Sequence, residues 1–287
     1  MAIMAICSAT YAFQFILDPN IFNYTLNTQR VLILNEWYRI ITHVFFHGGI
    51  MHLGMNMMGA SAIGSMLEKK CGSVAFMFTV LWSIVLTGLL HIVVAFLACV
   101  LFHNDRLMVE HGVGYSGVLF HLIVLESDIM ASDMSLERSR SVFGFVKVPL
   151  RAYPWALLIA ISIIMPQVSF MGHLSGILVG TLQTYGGLDW LLPSFSFLRN
   201  IEKWNLCTSI MNARGFIPTP TDSELMSLNI IRVKGENDVS ALMSCTCKVL
   251  KSILKFAKDV IETLKVCIFG YGPILGSNRQ TLGNEEW

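Results

Sequence analysis

The sequence contains little charge. Lys, Arg, Asp and Glu make up 14% of its 287 residues, whereas hydrophobic residues make up 54%. Because soluble domains carry about 25% charged residues, this composition excludes an ordinary soluble protein and indicates a membrane protein. The 20 basic and 19 acidic side chains leave a net charge of +1, which gives no indication of a nucleic-acid partner.

Several motifs are absent as well. The seven cysteines show no paired spacing within a loop that would face an oxidising compartment, so no disulfide framework is expected. H-E-x-x-H does not occur, which disfavours an intramembrane zinc protease. The string at 114–118 ends in Val118 instead of glycine, so the G-x-S-x-G turn of soluble hydrolases is excluded. No Lys or Arg precedes the first apolar segment, which favours a retained helix over the alternative of a signal peptide.

Six apolar segments occupy the first 190 residues. A transmembrane helix needs about 20 apolar residues, and shorter ones are tolerated where the bilayer thins locally. The predicted spans are 2–17, 50–67, 74–94 (with an extension to 102 as an option), 113–127, 153–165 and 170–184. The sequence therefore predicts an all-α membrane protein, with a six-transmembrane-helix domain at 1–190 and a tail at 191–287.

Basic residues lie mostly on one side of these spans. That side holds Lys69, Lys70, Arg138, Arg140, Lys147, Arg151, Arg199 and Lys203, and the other side holds Arg30, Arg39 and Arg106. The positive-inside rule then predicts that both termini are cytoplasmic. In the tail, residues 244–266 combine apolar residues at helical spacing with interleaved lysines, which predicts a basic amphipathic helix. It is expected either to lie on the cytoplasmic leaflet, with Cys245 and Cys247 as candidate palmitoylation sites, or to bind a partner.

Polar side chains interrupt the apolar segments at three places. A strongly polar side chain in a span costs about 2.5–3.5 kcal/mol, so each needs a reason. His52 and Asn56 lie one turn apart on the second span, Ser116 lies in the fourth and His173 in the sixth. The fourth and sixth spans run in the same direction, and both side chains are expected about one turn into their helices, at a shared depth.

This arrangement predicts a nucleophile with its base. A hydroxyl needs an adjacent base to become nucleophilic near neutral pH. Small residues that permit the close helix approach are Gly117, Gly172, Gly176 and Gly180. No acidic residue is placed to orient His173, so a Ser–His dyad is predicted, with His52, Asn56 and the Ser116 amide as oxyanion donors. The other intramembrane or loop histidines, His43, His47, His91 and His121, are predicted to be structural.

These motifs resemble the signature of the rhomboid intramembrane serine proteases. The matching strings are Gly114-Tyr-Ser116-Gly117, Gly172-His173-Leu-Ser-Gly176-Ile-Leu-Val-Gly180, His52-Leu-Gly-Met-Asn56 and Gly64-Ser-Met-Leu-Glu68-Lys. Trp37-Tyr38-Arg39 is similar to the family's Trp-Arg motif, with Tyr38 intervening. The resemblance covers about residues 1–190 and looks strongest to the eukaryotic six-span rhomboids of the endoplasmic reticulum.

The resemblance implies cleavage of transmembrane protein substrates near the lumenal face of the bilayer, without a cofactor or metal. It assigns Ser116 as nucleophile, His173 as general base, and His52, Asn56 and the Ser116 amide as oxyanion donors. Supporting roles are implied for Arg39, Glu68, Gly114, Gly117, Phe120, Gly176 and Gly180; Phe120 packs on the histidine and Gly114 keeps the floor of the site open.

Two further questions stay open at this point. In that branch of the family a cytoplasmic tail couples cleavage to ubiquitin and an extraction ATPase, but this tail has no evident acidic ubiquitin-interacting helix, so the coupling is not carried over. Two other functions also remain: a catalytically silent relative that binds membrane clients, and a transporter that uses the histidines as a proton path.

Overall fold

The computed structural model describes residues 2–133, 138–204, 211–213 and 215–227. The chain divides into two compact units, Met1–Val233 and Lys234–Trp287, and every described residue lies in the first. The amphipathic helix predicted at 244–266, with Cys245 and Cys247, lies outside the described residues.

Helices dominate the described part of the chain. In order, the elements are α1 (Ala2–Leu17), a 3-10 turn (Ile21–Asn23), α2 (Thr28–Leu34), α3 (Arg39–Thr42), α4 (Ile50–Cys71), α5 (Ser73–Phe102), α6 (Arg106–Val109), α7 (Ser116–Ser132), β1 (Ser139–Val142), β2 (Val146–Pro149), a 3-10 turn (Leu150–Ala152), α8 (Tyr153–Ile164), α9 (Phe170–Thr184), α10 (Phe195–Glu202) and α11 (Asp222–Ser227). Helices α1, α4, α5, α7, α8 and α9 coincide with the six predicted segments to within a few residues.

Helix α5 is, within the described residues, the helix that is both long and apolar enough to cross a bilayer by length and composition. It runs for 30 residues, so the optional extension of the third segment to Phe102 is present. Helix α1 and the segment Leu150–Ile164 are apolar but shorter.

Helix α7 forms the centre of the bundle. Its side chains from Val118 to Val124 are all buried, so this part of the helix is covered on every face, as expected for one surrounded by other helices. It packs most closely on α9. A Cβ at Gly117 would lie 3.2 Å from the Gly172 carbonyl oxygen, and one at Gly180 would lie 3.0 Å from the His121 carbonyl oxygen. The glycines predicted to permit close helix approach therefore lie at the α7–α9 contact.

The start of α7 differs from the sequence prediction. The helix begins at Ser116 and not at residue 113, because Gly114 adopts φ +106°, which is incompatible with a right-handed helix. Ser116 is therefore the first residue of its helix and not one turn into it. His173 is the fourth residue of α9, as expected.

A short hairpin is the main addition to the helical prediction. Strands β1 and β2 pair antiparallel with Ser139 opposite Pro149, and Phe143 and Gly144 both take positive φ in the turn between them. Arg140 joins the hairpin to α7 through a 2.7 Å ion pair with Glu126.

A buried chain of hydrogen bonds joins α5, α7 and α9. Ser83 Oγ lies 2.5 Å from His121 Nδ1, and His121 Nε2 lies 2.8 Å from Gln183 Oε1. Because the amide oxygen of Gln183 only accepts, Nε2 carries a ring proton and donates to it. Both ring nitrogens of His121 are therefore paired inside the bundle.

Candidate active site

Ser116 and His173 face each other across the α7–α9 contact. Ser116 Oγ lies 2.9 Å from His173 Nε2, a hydrogen-bond distance, although the two residues are 57 apart in the chain. His173 is buried, and its Nδ1 has no partner among the described residues. With Nε2 accepting from the Ser116 hydroxyl, the proton of the neutral ring resides on Nδ1, which is the tautomer that a general base requires.

Local structure fixes the position of the His173 ring. Ser169 begins α9 as an N-cap, accepting from the Gly172 amide at 3.1 Å. The Phe120 ring stacks on the imidazole with centroids 4.4 Å apart and planes inclined by 28°. At Gly176 a Cβ would overlap the Gly117 carbonyl oxygen, so glycine is required for this helix approach. These contacts hold the base beside the hydroxyl.

His52 and Asn56 converge on the same point from α4. A Cβ at Gly114 would lie 2.8 Å from His52 Nε2 and 3.2 Å from Asn56 Nδ2, so a side chain at 114 would displace both groups. Neither nitrogen has a hydrogen-bond partner among the described residues. The Ser116 amide, at the first position of α7, also lacks an intrahelical acceptor. The side-chain nitrogens of His52 and Asn56 thus lie beside Gly114, two residues before Ser116.

A small open recess adjoins Ser116. Its lining residues are Leu26, His43, Thr87, His91, Gly112, Val113, Gly114, Ser116, Gly117, Ser169 and Gly172. Apart from Ser116, the polar side chains of this lining were not predicted to belong to the site; they are His43, Thr87, His91 and Ser169. The available signal was the spacing of Thr87 and His91, which places two polar side chains one turn apart on α5.

Arg39 organises the loop that precedes α4. Its guanidinium is fully buried, donates to the carbonyl oxygens of Phe22 at 2.6 Å and Thr25 at 2.7 Å, and pairs with the Glu36 carboxylate at 2.6 Å. A buried cation with this set of acceptors holds several turns of the loop at once. Trp37, in contrast, is 44% exposed. The side-chain contacts of Arg39 are therefore made within this loop, and its supporting role for the site stays a prediction.

His111 ties the same loop to the segment that leads into Ser116. Its Nδ1 lies 2.6 Å from Thr25 Oγ1 and its Nε2 lies 3.4 Å from Asn27 Nδ2, and the Leu26 and Gly112 backbones exchange hydrogen bonds of 2.8 Å beside it. Burial lowers the pKa of His111 to about 4, assisted by the charges of Arg39 and Arg30. This histidine therefore stays neutral in the folded protein at pH values where a free histidine is charged.

The protein is expected to lose stability as the pH falls from about 6.5 to about 4. In that window the unfolded state binds a proton at His111 and the folded state does not, so acid favours unfolding. His43 and His47, whose pKa values burial also lowers to about 4, act in the same direction. Thermal unfolding of the detergent-solubilised chain across this range measures the effect. His111→Gln, which keeps polar atoms but does not titrate, should show a shallower fall; an equally steep fall would exclude the role given to His111.

Comparison with known proteins identifies the family of this chain. The Rhomboid domain family matches residues 34–189, which is more than half of the chain and includes both members of the dyad. The chain belongs to the rhomboid family. It is a membrane protein with the helical fold of that family.

Individual rhomboid relatives show how far the similarity extends. The chain is 38% identical to rhomboid-like protein 15 of Arabidopsis thaliana and 33% identical to rhomboid-related protein 4 of Rattus norvegicus, each over 182 residues, or 63% of this chain. It is 29% identical over 178 residues to rhomboid-type serine protease B of Aspergillus fumigatus, covering 60% of both chains. The matched regions span 44% and 56% of the first two relatives, so the chain corresponds to about half of their length.

Within this rhomboid domain, Glu68 lies away from the candidate active site. It is 16 residues beyond His52 on α4, which is about 24 Å along a helix axis. Its carboxylate accepts from the Ser73 hydroxyl at 2.7 Å, at the turn between α4 and α5. The supporting role expected for Glu68 is therefore one of closing this turn, at the opposite end of the bundle.

Proposed function

We propose that this rhomboid is an intramembrane serine protease that hydrolyses peptide bonds in or near transmembrane segments of protein substrates. The observation that carries the proposal is the 2.9 Å contact between Ser116 Oγ and His173 Nε2, next to the unpaired donors of His52 and Asn56. The named serine proteases among its fungal relatives support the same activity.

The chemistry follows from these positions. Ser116 Oγ attacks the scissile carbonyl carbon while its proton passes to His173 Nε2, and the oxyanion accepts from His52, Asn56 and the Ser116 amide. The intermediate collapses as His173 gives the proton to the leaving amine. Water that enters through the polar recess then attacks the acyl-enzyme, again with His173 as base, and Ser116 is regenerated.

The proposal includes a topology. In it, six helices cross the membrane, and the basic residues at the Glu68 end favour a cytoplasmic position for that end and for both termini. Ser116 and the recess then face the lumenal side. The resemblance to endoplasmic-reticulum rhomboids favours that membrane. Transmembrane proteins are the proposed substrates, the lipid bilayer is the proposed environment, and coupling to ubiquitin or an extraction ATPase has no support in the described residues.

Covalent labelling tests the proposed nucleophile. A fluorophosphonate probe should react with the native chain at Ser116, and Ser116→Ala should abolish this labelling because the attacking oxygen is gone. His173→Ala should reduce it at least 100-fold because the hydroxyl loses its base. Mass spectrometry of the labelled peptide identifies the site. If Ser116 of the folded native chain stays unlabelled, the silent client-binding function becomes the better explanation.

A further inference from the structure

An extended segment of the chain is bound at the Glu68 end of the bundle. We define the strap as residues 216–222, and the cradle as the turn formed by Gly72 and Ser73 together with Arg199 and Glu202 of α10. The Ser73 amide donates to the Ile217 carbonyl oxygen at 2.8 Å, and the Ile217 amide donates to Ser73 Oγ at 3.0 Å. The strap is thus attached to Ser73 by two hydrogen bonds, one to the backbone and one to the side chain.

Thr219 forms the closest contacts of the strap. Its amide donates to Glu202 Oε1 at 3.0 Å and its hydroxyl donates to the same oxygen at 2.6 Å, and both residues are buried. At Gly72, where φ is +89°, a Cβ would lie 2.7 Å from Thr219 Cα, so the strap lies directly against bare backbone. Among the described residues, Thr219 supplies the hydrogen bonds to the buried Glu202 carboxylate, and a negative charge at Thr219 would oppose these contacts.

Thr219 lies in a sequence that a kinase can recognise, but its side chain is buried while the strap is bound. Pro218 and Pro220 flank it, so the segment is extended and has few local hydrogen bonds when it is released. Thr219-Pro220 is the dipeptide that proline-directed serine/threonine kinases read. In the docked strap, however, Thr219 is only 5% exposed.

We propose that Thr219 is a phosphorylation site whose modification holds the strap away from its cradle. A proline-directed kinase transfers the γ-phosphoryl group of ATP to Thr219 Oγ1: the P–O bond to ADP breaks, the new P–Oγ1 bond forms, and the hydroxyl proton leaves to solvent. The product carries about −1.5 to −2 charges where Oγ1 had donated to Glu202, and two anions at that distance repel each other. This inference rests on the proposed topology in one respect: Thr219 must face the compartment that contains the kinase and ATP.

Release of the strap has a structural consequence beyond Thr219. Phe216, at its start, packs with Cys71 against a small apolar cluster that includes the buried residues Val74 and Leu198. Withdrawal of Phe216 uncovers this cluster and the half-buried Cys71 thiol. The phosphorylated chain therefore presents a new apolar surface at the end of α4 and α5, and Cys71 reports on its exposure.

The test uses the full-length chain in detergent micelles with a proline-directed kinase and ATP. Site-resolved mass spectrometry should detect phosphate at Thr219. The rate of phosphorylation should be about tenfold or more higher in Glu202→Ala than in the native chain, because a hydrogen bond to a charged group no longer holds the strap. Ser73→Ala provides a second release variant in case Glu202→Ala folds poorly. Thr221→Val, at an exposed threonine without a following proline, is the matched control and should keep the native rate at Thr219.

Alkylation of Cys71 by a maleimide supplies the second measurement. Its rate should rise about tenfold after phosphorylation, and Thr219→Val should show neither phosphate at this position nor the rise on kinase treatment. The proposal is overturned if Thr219 stays unmodified in both release variants, or if stoichiometric phosphate leaves the alkylation rate unchanged. These readouts do not depend on proteolysis, so they succeed or fail independently of the proposed protease activity.

Discussion

Ser116→Ala is expected to lower the rate of cleavage of a single-span substrate in proteoliposomes by roughly 10⁴-fold or more, and His173→Ala by a similar factor. The first change removes the atom that attacks the carbonyl carbon, and the second removes the acceptor of its proton at 2.9 Å. Because the two groups act as one unit, the double variant should be no slower than either single variant.

A neighbouring serine provides the control for this result. Ser175 is fully buried on α9, but its hydroxyl donates to the Met171 carbonyl oxygen at 2.7 Å and does not face His173. Ser175→Ala should therefore retain most of the native cleavage rate. Intact folding of each variant is checked by its thermal unfolding. Undiminished cleavage by well-folded Ser116→Ala would assign the reaction to another nucleophile.

Gly176→Ala is expected to reduce kcat/KM by about 100-fold or more and to lower the unfolding temperature. Its new methyl group would overlap the Gly117 carbonyl oxygen and lie 3.0 Å from Phe120 Cβ, so α9 must move away from α7. Backbone atoms cannot rotate aside as side chains do. A displacement of about 1 Å at a catalytic pair costs about 100-fold in rate, because the reacting groups lose their alignment.

Gly54→Ala is the matched control on another helix. A Cβ at Gly54 meets no atom within 4 Å, so the substitution adds a methyl group without a clash. In a helix interior this exchange stabilises by roughly 0.5–1 kcal/mol. We expect native kcat/KM and an unchanged or higher unfolding temperature. Equal effects of the two substitutions would show that the close α7–α9 contact has no special importance for the dyad.

The helices could be read from the sequence because their cause is local. A long apolar segment in a bilayer must satisfy its own backbone hydrogen bonds, and the α-helix does so within the segment. Segments 2–17 and 170–184 accordingly have the same bounds in the structure, as α1 and α9. The residues of the dyad could also be identified from the sequence, because Ser116 and His173 are polar side chains within apolar segments.

Other features depend on contacts between distant residues and have no local pattern. The start of α7 moved to Ser116 because Gly114 turns the chain to make room for His52 and Asn56, which come from a different helix. The polar recess likewise collects residues from five separate segments of the chain. The strap lies in the predicted tail, where the sequence predicted a helix at 244–266 and nothing at 216–222.

The apolar segments and the few intramembrane polar residues were thus enough to indicate the helix positions and the candidate catalytic pair, and the resemblance of the motif strings indicated the family. Tertiary structure alone decided the 2.9 Å distance between Ser116 and His173, the role of Glu68 at the far end of α4 and the pairing of Thr219 with Glu202. The physical reason is that helix formation in a membrane depends on neighbouring residues, whereas these contacts depend on how closely separate helices approach, which the glycines permit but do not specify.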